Sequence, residues 1–371
     1  MIITEVRATT CSIPLTTPIV MGELRFDARE YIVVELVTDE GLTGVGFGMT
    51  RNGPVAPIVS RNLAPLLLGA DPLSSERLWQ TMYDRNLTIG QRGLFMRALS
   101  AVDVAIWDIK GQVAGMPLWR LFGGYRDRVQ VSIAGGYPRA GRSLDSLGTE
   151  IAGYVSDGYP WIKIAAGPLE DDTQRLRVCA DAIAGSASVL AYDAHWAWRT
   201  IAEVLPTVRG WGDLGIAFIE DPYPAELTSI AVELRARTGI SLALGEDTTG
   251  RYAYRDLIAL ATPEYLRVDA TTTGGLSEAI KVCAMAATAS IPILPHIFPE
   301  VHVHLAAAFP TVMAVEATDP RQEIDVLYRL LANPLRPVGG WIDAPTVPGL
   351  GADLDQEAVS RFSIGREVSR A

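Results

Sequence analysis

Two hydrophobic periods divide the first part of the chain. From residue 1 to about 60, runs such as YIVVELVTDEGLTGVGF set β-branched positions around a DEG turn, the pattern of antiparallel strands. Between residues 72 and 122 the apolar positions shift to helical spacing, in ERLWQTMYDRN and again in MRALSAVDVAIWDIKGQVAG. Residues 1–127 therefore read as an α+β unit.

From residue 128 a different rhythm begins. Short apolar runs, each ending in a polar or ionisable residue, alternate with amphipathic helical stretches: VQVSIAGGY, WIKIAAG, SVLAYDAH, IAFIEDP, ISLALGED, YLRVD, IPILPH and TVMAVE. They recur at roughly 20 to 30 residues, the length of one strand, one helix and two loops of a (β/α)8 barrel. Near-continuous apolar character suits parallel strands covered on both faces. A barrel is expected over residues 128–330. The Pro- and Gly-rich tail, 331–371, breaks the rhythm and is expected to return to the first unit.

Composition narrows the picture. In 371 residues, 49% hydrophobic content supports a large buried core. Forty-three acidic against 32 basic residues give a net charge of -11, which repels phosphate backbones and anionic lipid. Nucleic acid and membrane are not expected as partners. MIITEVRATTCSIPL lacks the basic region and apolar stretch of a secretory signal, and no run of about 18 apolar residues occurs, so a cytoplasmic location is expected. Cys11, Cys179 and Cys283 are far apart and never in a CxxC pair, which points to core fillers rather than a disulfide or zinc site.

The strand ends of such a barrel share one face, where active sites sit. Asp193, Glu220 and Glu246 end three consecutive runs, so their carboxylates are expected to converge. Three such charges repel one another unless a cation neutralises them, and all-oxygen ligation favours a hard ion, Mg2+ before Mn2+, over zinc. The next two runs end in Asp269 and His296, a carboxylate beside an imidazole that can exchange protons near neutral pH. His195 stands two residues after Asp193, and alternation along an extended segment turns both toward one cavity, which makes His195 a candidate acid. His302 and His304, in VHVHLAAAF, read as structural helix residues. Lys163 sits in the middle of WIKIAAG, with Ala165 two places on.

ALSAVDVAIWDIKGQVAGMPLWRLFGG, FIEDP, LGED, HIFPEVHVH followed by AVE, and VPGLGADLD together resemble the enolase superfamily, specifically its mandelate racemase subgroup, along essentially the whole chain. That resemblance implies a modified (β/α)7β barrel with an α+β capping domain built from the N-terminal segment and the C-terminal tail. It implies Mg2+ ligation by Asp193, Glu220 and Glu246, proton transfer by His296 with Asp269, and a protonated Glu316 donating to a substrate carboxylate. Proton abstraction to an enediolate, by a Lys or His base with Mg2+, is the chemistry of that superfamily. Relatives usually carry Lys-x-Lys on the second barrel strand, the second lysine being a base on the face opposite the dyad. Here Lys163 aligns with the first, implying contact with the bound carboxylate or enediolate, and Ala165 stands at the second.

Racemisation by direct proton transfer needs a base on each face, so Ala165 disfavours it. Loss of water from a 2,3-dihydroxy acid needs one base and one acid, roles that His296 and His195 can divide. Asp193-Ala194-His195 is also closer to the Asp-x-His of sugar-acid dehydratases than to Asp-x-Asn. The expected activity is a Mg2+-dependent hydro-lyase converting an aldonic or aldaric acid to a 2-keto-3-deoxy acid. The alternatives are a racemase or epimerase, with His195 or Tyr137 as second base, and a non-catalytic binding relative. Loops at 15–30 and 48–56 are expected to close over the barrel mouth, with Arg25, Arg29 and Arg51 as candidate substrate contacts; Tyr137 and Trp198 are candidates for the pocket wall. A small-molecule sugar acid and further copies of the chain, in a homo-oligomer, are the expected partners.

Overall fold

The computed structural model describes residues 1–21, 24–139 and 141–371. Strands β1 (Ile3–Met21), β2 (Leu24–Thr38) and β3 (Thr43–Met49) form an antiparallel sheet. The C-terminal strand Ser363–Arg370 completes it by pairing with β1. Helix Leu94–Ala114 lies across this sheet. Gly44 and Gly46, two apart on one face of β3, let it approach, because a Cβ on either would collide with the carbonyls of Ala105 and Ala101.

The expected loop at 15–30 is strand instead. β1 and β2 run on through it as a long hairpin arm, with a register shift between Pro14 and Ile19; Gly22 and Glu23 lie outside the described residues. The β-branched content of TTPIV already fitted a strand.

The parallel sheet comprises β4 (Arg128–Gly135), β5 (Trp161–Ala165), β6 (Val189–Asp193), β7 (Ile216–Glu220), β8 (Leu242–Leu244), β9 (Tyr265–Leu266) and β10 (Ala314–Thr318). β10 pairs with β4, and the others follow in chain order. The seventh apolar run, IPILPH, contributes a single residue: Ile293 bridges in parallel to Leu266 on one side and Val312 on the other, closing the seam. Segment Trp341–Asp343 adds to the outside of the circuit, antiparallel to β4. Among the described residues no helix is long and apolar enough to cross a membrane.

The period of two inside the barrel sets the site. Ala191, Phe218, Ala243, Leu294 and Ala314 form a buried apolar layer, with Trp161 and Tyr265 packed against it. Side chains two residues further along a strand point to the same side. One layer up therefore come Lys163, Asp193, Glu220, Arg267, His296 and Glu316, all buried. The apolar layer seals the floor beneath a charged one.

Candidate active site

Asp193 and Glu220 are paired in register at the ends of β6 and β7. Glu246 follows β8 out of step, since two beyond Ala243 is Gly245. That glycine turns the chain with φ +122°, and its N–H and that of Glu246 donate to the Asp221 carboxylate at 3.0 and 3.2 Å. The turn delivers Glu246 to the cavity. One carboxylate oxygen each from Asp193, Glu220 and Glu246 lies within 4.8 Å of the others.

These groups are short of partners. Both Glu246 oxygens are buried without a hydrogen-bond donor among the described residues, and Glu220 Oε2 has the Lys163 ammonium at 3.0 Å but no well-aligned hydrogen bond. Burial, then Asp193 and Glu220, push the Glu246 carboxyl well above its ordinary range. Burial and the Glu220 charge raise Asp221 to about 8. An all-carboxylate donor set, buried, mutually repelling and partly orphaned, fits a hard divalent cation.

Lys163 balances part of this charge. Its Nζ lies 3.0 Å from Asp193 Oδ2 and 2.9 Å from Glu316 Oε2, and it donates to Glu220 Oε1 at 3.1 Å. Burial favours its neutral form, but Asp193, Glu220 and Glu316 outweigh that and hold it protonated. Ala165, buried and in register with Asp193, leaves the neighbouring inward position without an ionisable group.

Sequence reasoning missed Arg267. Its Nε donates to Glu220 Oε1 at 2.8 Å, Nη2 to Glu316 Oε2 at 2.5 Å and Nη1 to the Leu294 carbonyl at 2.7 Å. The signal was parity, because Arg267 stands two residues before Asp269 in YLRVD, just as Lys163 stands two before Ala165. Arg267 also corrects the expectation of a protonated Glu316. Burial alone would raise that carboxyl, but Arg267 and Lys163 overcome it and hold Glu316 ionised, well below the usual range. Glu316 accepts hydrogen bonds here, including one from the Ile297 N–H at 3.3 Å.

His296 and Asp269 do meet, with Nδ1 to Oδ2 at 2.9 Å, and Asp269 Oδ1 accepts from the Thr271 N–H at 2.7 Å. Burial opposes the Asp269 charge, but the His296 hydrogen bond and charge dominate and lower it to about 2. The other ring nitrogen, Nε2, faces the carboxylate cluster, 3.4 Å from Glu246 Oε2. A carboxylate on Nδ1 and a free Nε2 toward the cavity are what a general base requires.

His195 reaches the same cavity by a different route. The backbone is not extended there: His195 and Trp196 take left-handed φ values of 49° and 53°. Nδ1 still lies 3.2 Å from Asp193 Oδ1, and the ring packs edge-on to Tyr137 at 6.2 Å between centroids. Burial, then the Lys163 charge, lower His195 to about 3, so it is neutral rather than an imidazolium acid.

The remaining candidates separate. Arg51 arrives, with Nη2 3.8 Å from Glu246 Oε1, and Tyr137 lies beside His195. Arg25 does not arrive; it is exposed and pairs with Asp27 at 2.8 Å. Trp198 is no pocket wall either, since it is buried among Tyr192, Trp211 and Tyr223. His302 accepts from the Ala270 N–H at 2.9 Å and bonds the Ile297 carbonyl at 2.6 Å, which makes it a brace behind Asp269.

The family model described as Enolase C-terminal domain-like matches residues 146–358, and that described as Mandelate racemase / muconate lactonizing enzyme, N-terminal domain matches residues 3–123. D-galactarolactone cycloisomerase of Agrobacterium fabrum is 30% identical over 376 residues, covering 97% of this chain and 98% of its own. Arabinonate dehydratase of Saccharolobus solfataricus is 29% identical over 334 residues, 87% of each chain. The crystal structure of a racemase from Streptomyces coelicolor with bound magnesium superposes with a TM-score of 0.90 at 28% identity, covering 98% of this chain and 100% of that one.

Proposed function

Because the chain belongs to the mandelate racemase and muconate lactonizing enzyme group of the enolase superfamily, an enzymatic family that includes sugar-acid dehydratases, we propose that it is a hydro-lyase acting on a sugar acid. Asp193, Glu220 and Glu246 would hold Mg2+, the ion bound in the Streptomyces structure. When bound, Mg2+ supplies Lewis-acid stabilisation of the negative charge that builds as the C2 proton leaves.

The chain's own groups do the proton work. His296, oriented by Asp269 through Nδ1, removes the C2 proton with Nε2. Lys163 places a fixed positive charge beside the developing enediolate, from a buried position where such charge acts strongly. The imidazolium of His296 then returns its proton to the departing 3-hydroxyl as the carbon–oxygen bond breaks. Water leaves, and the enol product tautomerises to the 2-keto-3-deoxy acid. His195 acts as a neutral hydrogen-bonding wall of the pocket, with its Nδ1 turned to Asp193.

The observation that carries this reading is a single dyad facing the carboxylate cluster while Ala165 occupies the inward position in register with Asp193. One base serves an elimination, whereas direct racemisation needs two. The test is proton NMR of aldonic, aldaric and lactonic acids with Mg2+-loaded protein in D2O. A 2-keto-3-deoxy product is expected; C2 deuterium without water loss would replace dehydration by epimerisation. Lactonic acids belong in the panel because β-elimination of a ring oxygen starts from the same C2 proton, and a cycloisomerase resembles this chain over 97% of its length.

A further inference from the structure

Backbone hydrogen bonds join the two segments that carry the dyad as far as the His296 N–H, which donates to the Val268 carbonyl at 3.1 Å. Beyond that point the segments part. Asp269 opens a turn, in which the Thr272 and Thr273 N–H groups donate to its carbonyl at 3.0 and 2.7 Å. After His296 the chain bends through Ile297 and Phe298, with left-handed φ values of 35° and 49°, into helix Pro299–Ala308. A β-branched residue at positive φ is an outlier, and such a conformation persists only where its surroundings fix it. Among the described residues no backbone hydrogen bond crosses between the two turns.

The side chain of His302 crosses instead. Its ring is fully buried near the start of that helix. Nε2 accepts from the Ala270 N–H at 2.9 Å, and Nδ1 lies 2.6 Å from the Ile297 carbonyl. An amide N–H can only donate and a carbonyl can only accept, so the two partners fix one neutral tautomer, with the proton on Nδ1. Ala270 directly follows Asp269, and Ile297 directly follows His296. One ring therefore spans the residues next to both members of the dyad. Ile297 is held from both ends, because its own N–H donates to Glu316 Oε1 at 3.3 Å. On the other arm, Asp269 Oδ1 takes the Thr271 N–H and hydroxyl at 2.7 and 2.8 Å, which leaves Oδ2 for His296. His302 Nε2 stands 3.7 Å from Asp269 Oδ1, too far for a hydrogen bond, so it acts through the backbone rather than on the carboxylate. His304, two residues on and so roughly 200° round the helix, bonds Trp119 and Leu350, outside the site.

We infer that His302 is a positioning residue for the dyad: by clamping the backbone after Asp269 to the backbone after His296, it sets the line along which His296 Nδ1 meets Asp269 Oδ2, and so the direction in which Nε2 points. A rigid ring bonded at both nitrogens fixes the spacing and the tilt of the two turns together. Without it, Ile297 is free to relax toward negative φ, and that rotation swings the His296 ring away from Asp269. The kinetic consequence rests on the proton-transfer reading above, whereas the clamp itself is a property of the fold.

The test uses the full chain labelled with nitrogen-15 histidine, in which only 4 imidazoles give signals. Long-range proton–nitrogen correlation spectra should show His302 protonated at Nδ1 alone, and a hydrogen-bonded Nδ1 proton on His296. In His302→Leu, held well below its melting midpoint, the His296 Nδ1 proton signal is expected to weaken or vanish as the ring loses its fixed orientation. His302→Asn, whose amide can still donate to Ile297, and His302→Gln, whose amide can still accept from Ala270, should each keep part of it. His304→Asn is the control for a histidine lost from the same helix: it should lower the melting midpoint and leave the His296 signal alone. On a sugar acid that the wild-type protein dehydrates, His302→Leu should lower kcat about a hundredfold with KM little changed, the cost of misplacing a catalytic group by about 1 Å. An Nε2 proton on His302 in the wild-type protein would overturn the inference. So would a His296 signal in His302→Leu that matches the wild type or, if that variant does not fold, a matching signal in the two amide variants. If no sugar acid is dehydrated, the hydro-lyase reading falls and the nitrogen spectra still decide the clamp.

Discussion

His296 carries the proposed proton transfer through geometry that an isosteric change can test. His296→Asn removes the base and leaves the carboxylate cluster in place, so kcat is expected to fall by about a thousandfold, within the range for general acid–base catalysis. C2 deuterium exchange should vanish with it while Mg2+ binding persists. Retained exchange in that variant would hand the proton to another group. Arg267 makes a different claim, about stability. Arg267→Met leaves Glu316 and Glu220 to share the single buried cation Lys163, and removing one partner of such a network costs about 3–5 kcal/mol. Urea denaturation should show that loss, and Glu316→Gln in the same chain should recover part of it, because one of the two carboxylates competing for Lys163 is gone. Additive losses from the two changes would mean that the two side chains are not coupled. Most of the cavity was legible in the sequence because its groups end apolar runs. Arg267 lies inside a run whose end residue, Asp269, drew the attention, and the ionised state of Glu316 depends on that unseen neighbour.

At the scale of elements, strand rhythm was readable and strand ends were not. Eight apolar runs predicted the barrel, yet IPILPH pairs through Ile293 alone, since pairing depends on tertiary closure rather than on the apolar run itself. The hairpin arm of β1 and β2 reads as a loop in the sequence because Thr, Pro and Gly in LTTPIVMG signal turns as strongly as strands. Packing between elements leads to two predictions. Gly46→Ala drives a Cβ into the Ala101 carbonyl of helix Leu94–Ala114, so a loss of at least about 2 kcal/mol is expected in the same denaturation assay. A neutral result would mean that the helix can lift from β3. His304, in helix Pro299–Ala308, ties that helix to helix Leu118–Leu121 and to the C-terminal tail: Nδ1 accepts from the Trp119 N–H at 3.2 Å and Nε2 bonds the Leu350 carbonyl at 2.8 Å. Burial lowers its pKa from 6.5 to about 4. A folded pKa below the unfolded one means that this residue's contribution is fully present above pH 6.5 and lost as pH falls toward 4. The loss reaches about 3 kcal/mol at about 1.4 kcal/mol per unit. His304→Asn should flatten the decline of stability between those pH values, and an unchanged slope would assign it to other groups.

For the whole molecule, the carboxylate cluster links folding to the ion. Asp193, Glu220 and Glu246 come from three successive βα units, and none of them can be brought near the others without closing that arc of the barrel. Without a cation, Lys163 and Arg267 compensate Asp193 and Glu220, whereas Glu246 has no hydrogen-bond donor among the described residues. The native fold should therefore bind Mg2+ far better than the unfolded chain does, and binding should stabilise it by mass action, about 2.7 kcal/mol when free Mg2+ is a hundred times Kd. The melting midpoint is expected to rise with the logarithm of Mg2+ concentration and to fall when EDTA removes the ion. Glu246→Gln should lose that dependence while melting no lower than the EDTA-treated parent, because it removes a repelling charge along with a ligand. If the midpoint of the parent protein ignores both Mg2+ and EDTA, the cluster is not a metal site, and the proposed chemistry loses the charge stabilisation it requires.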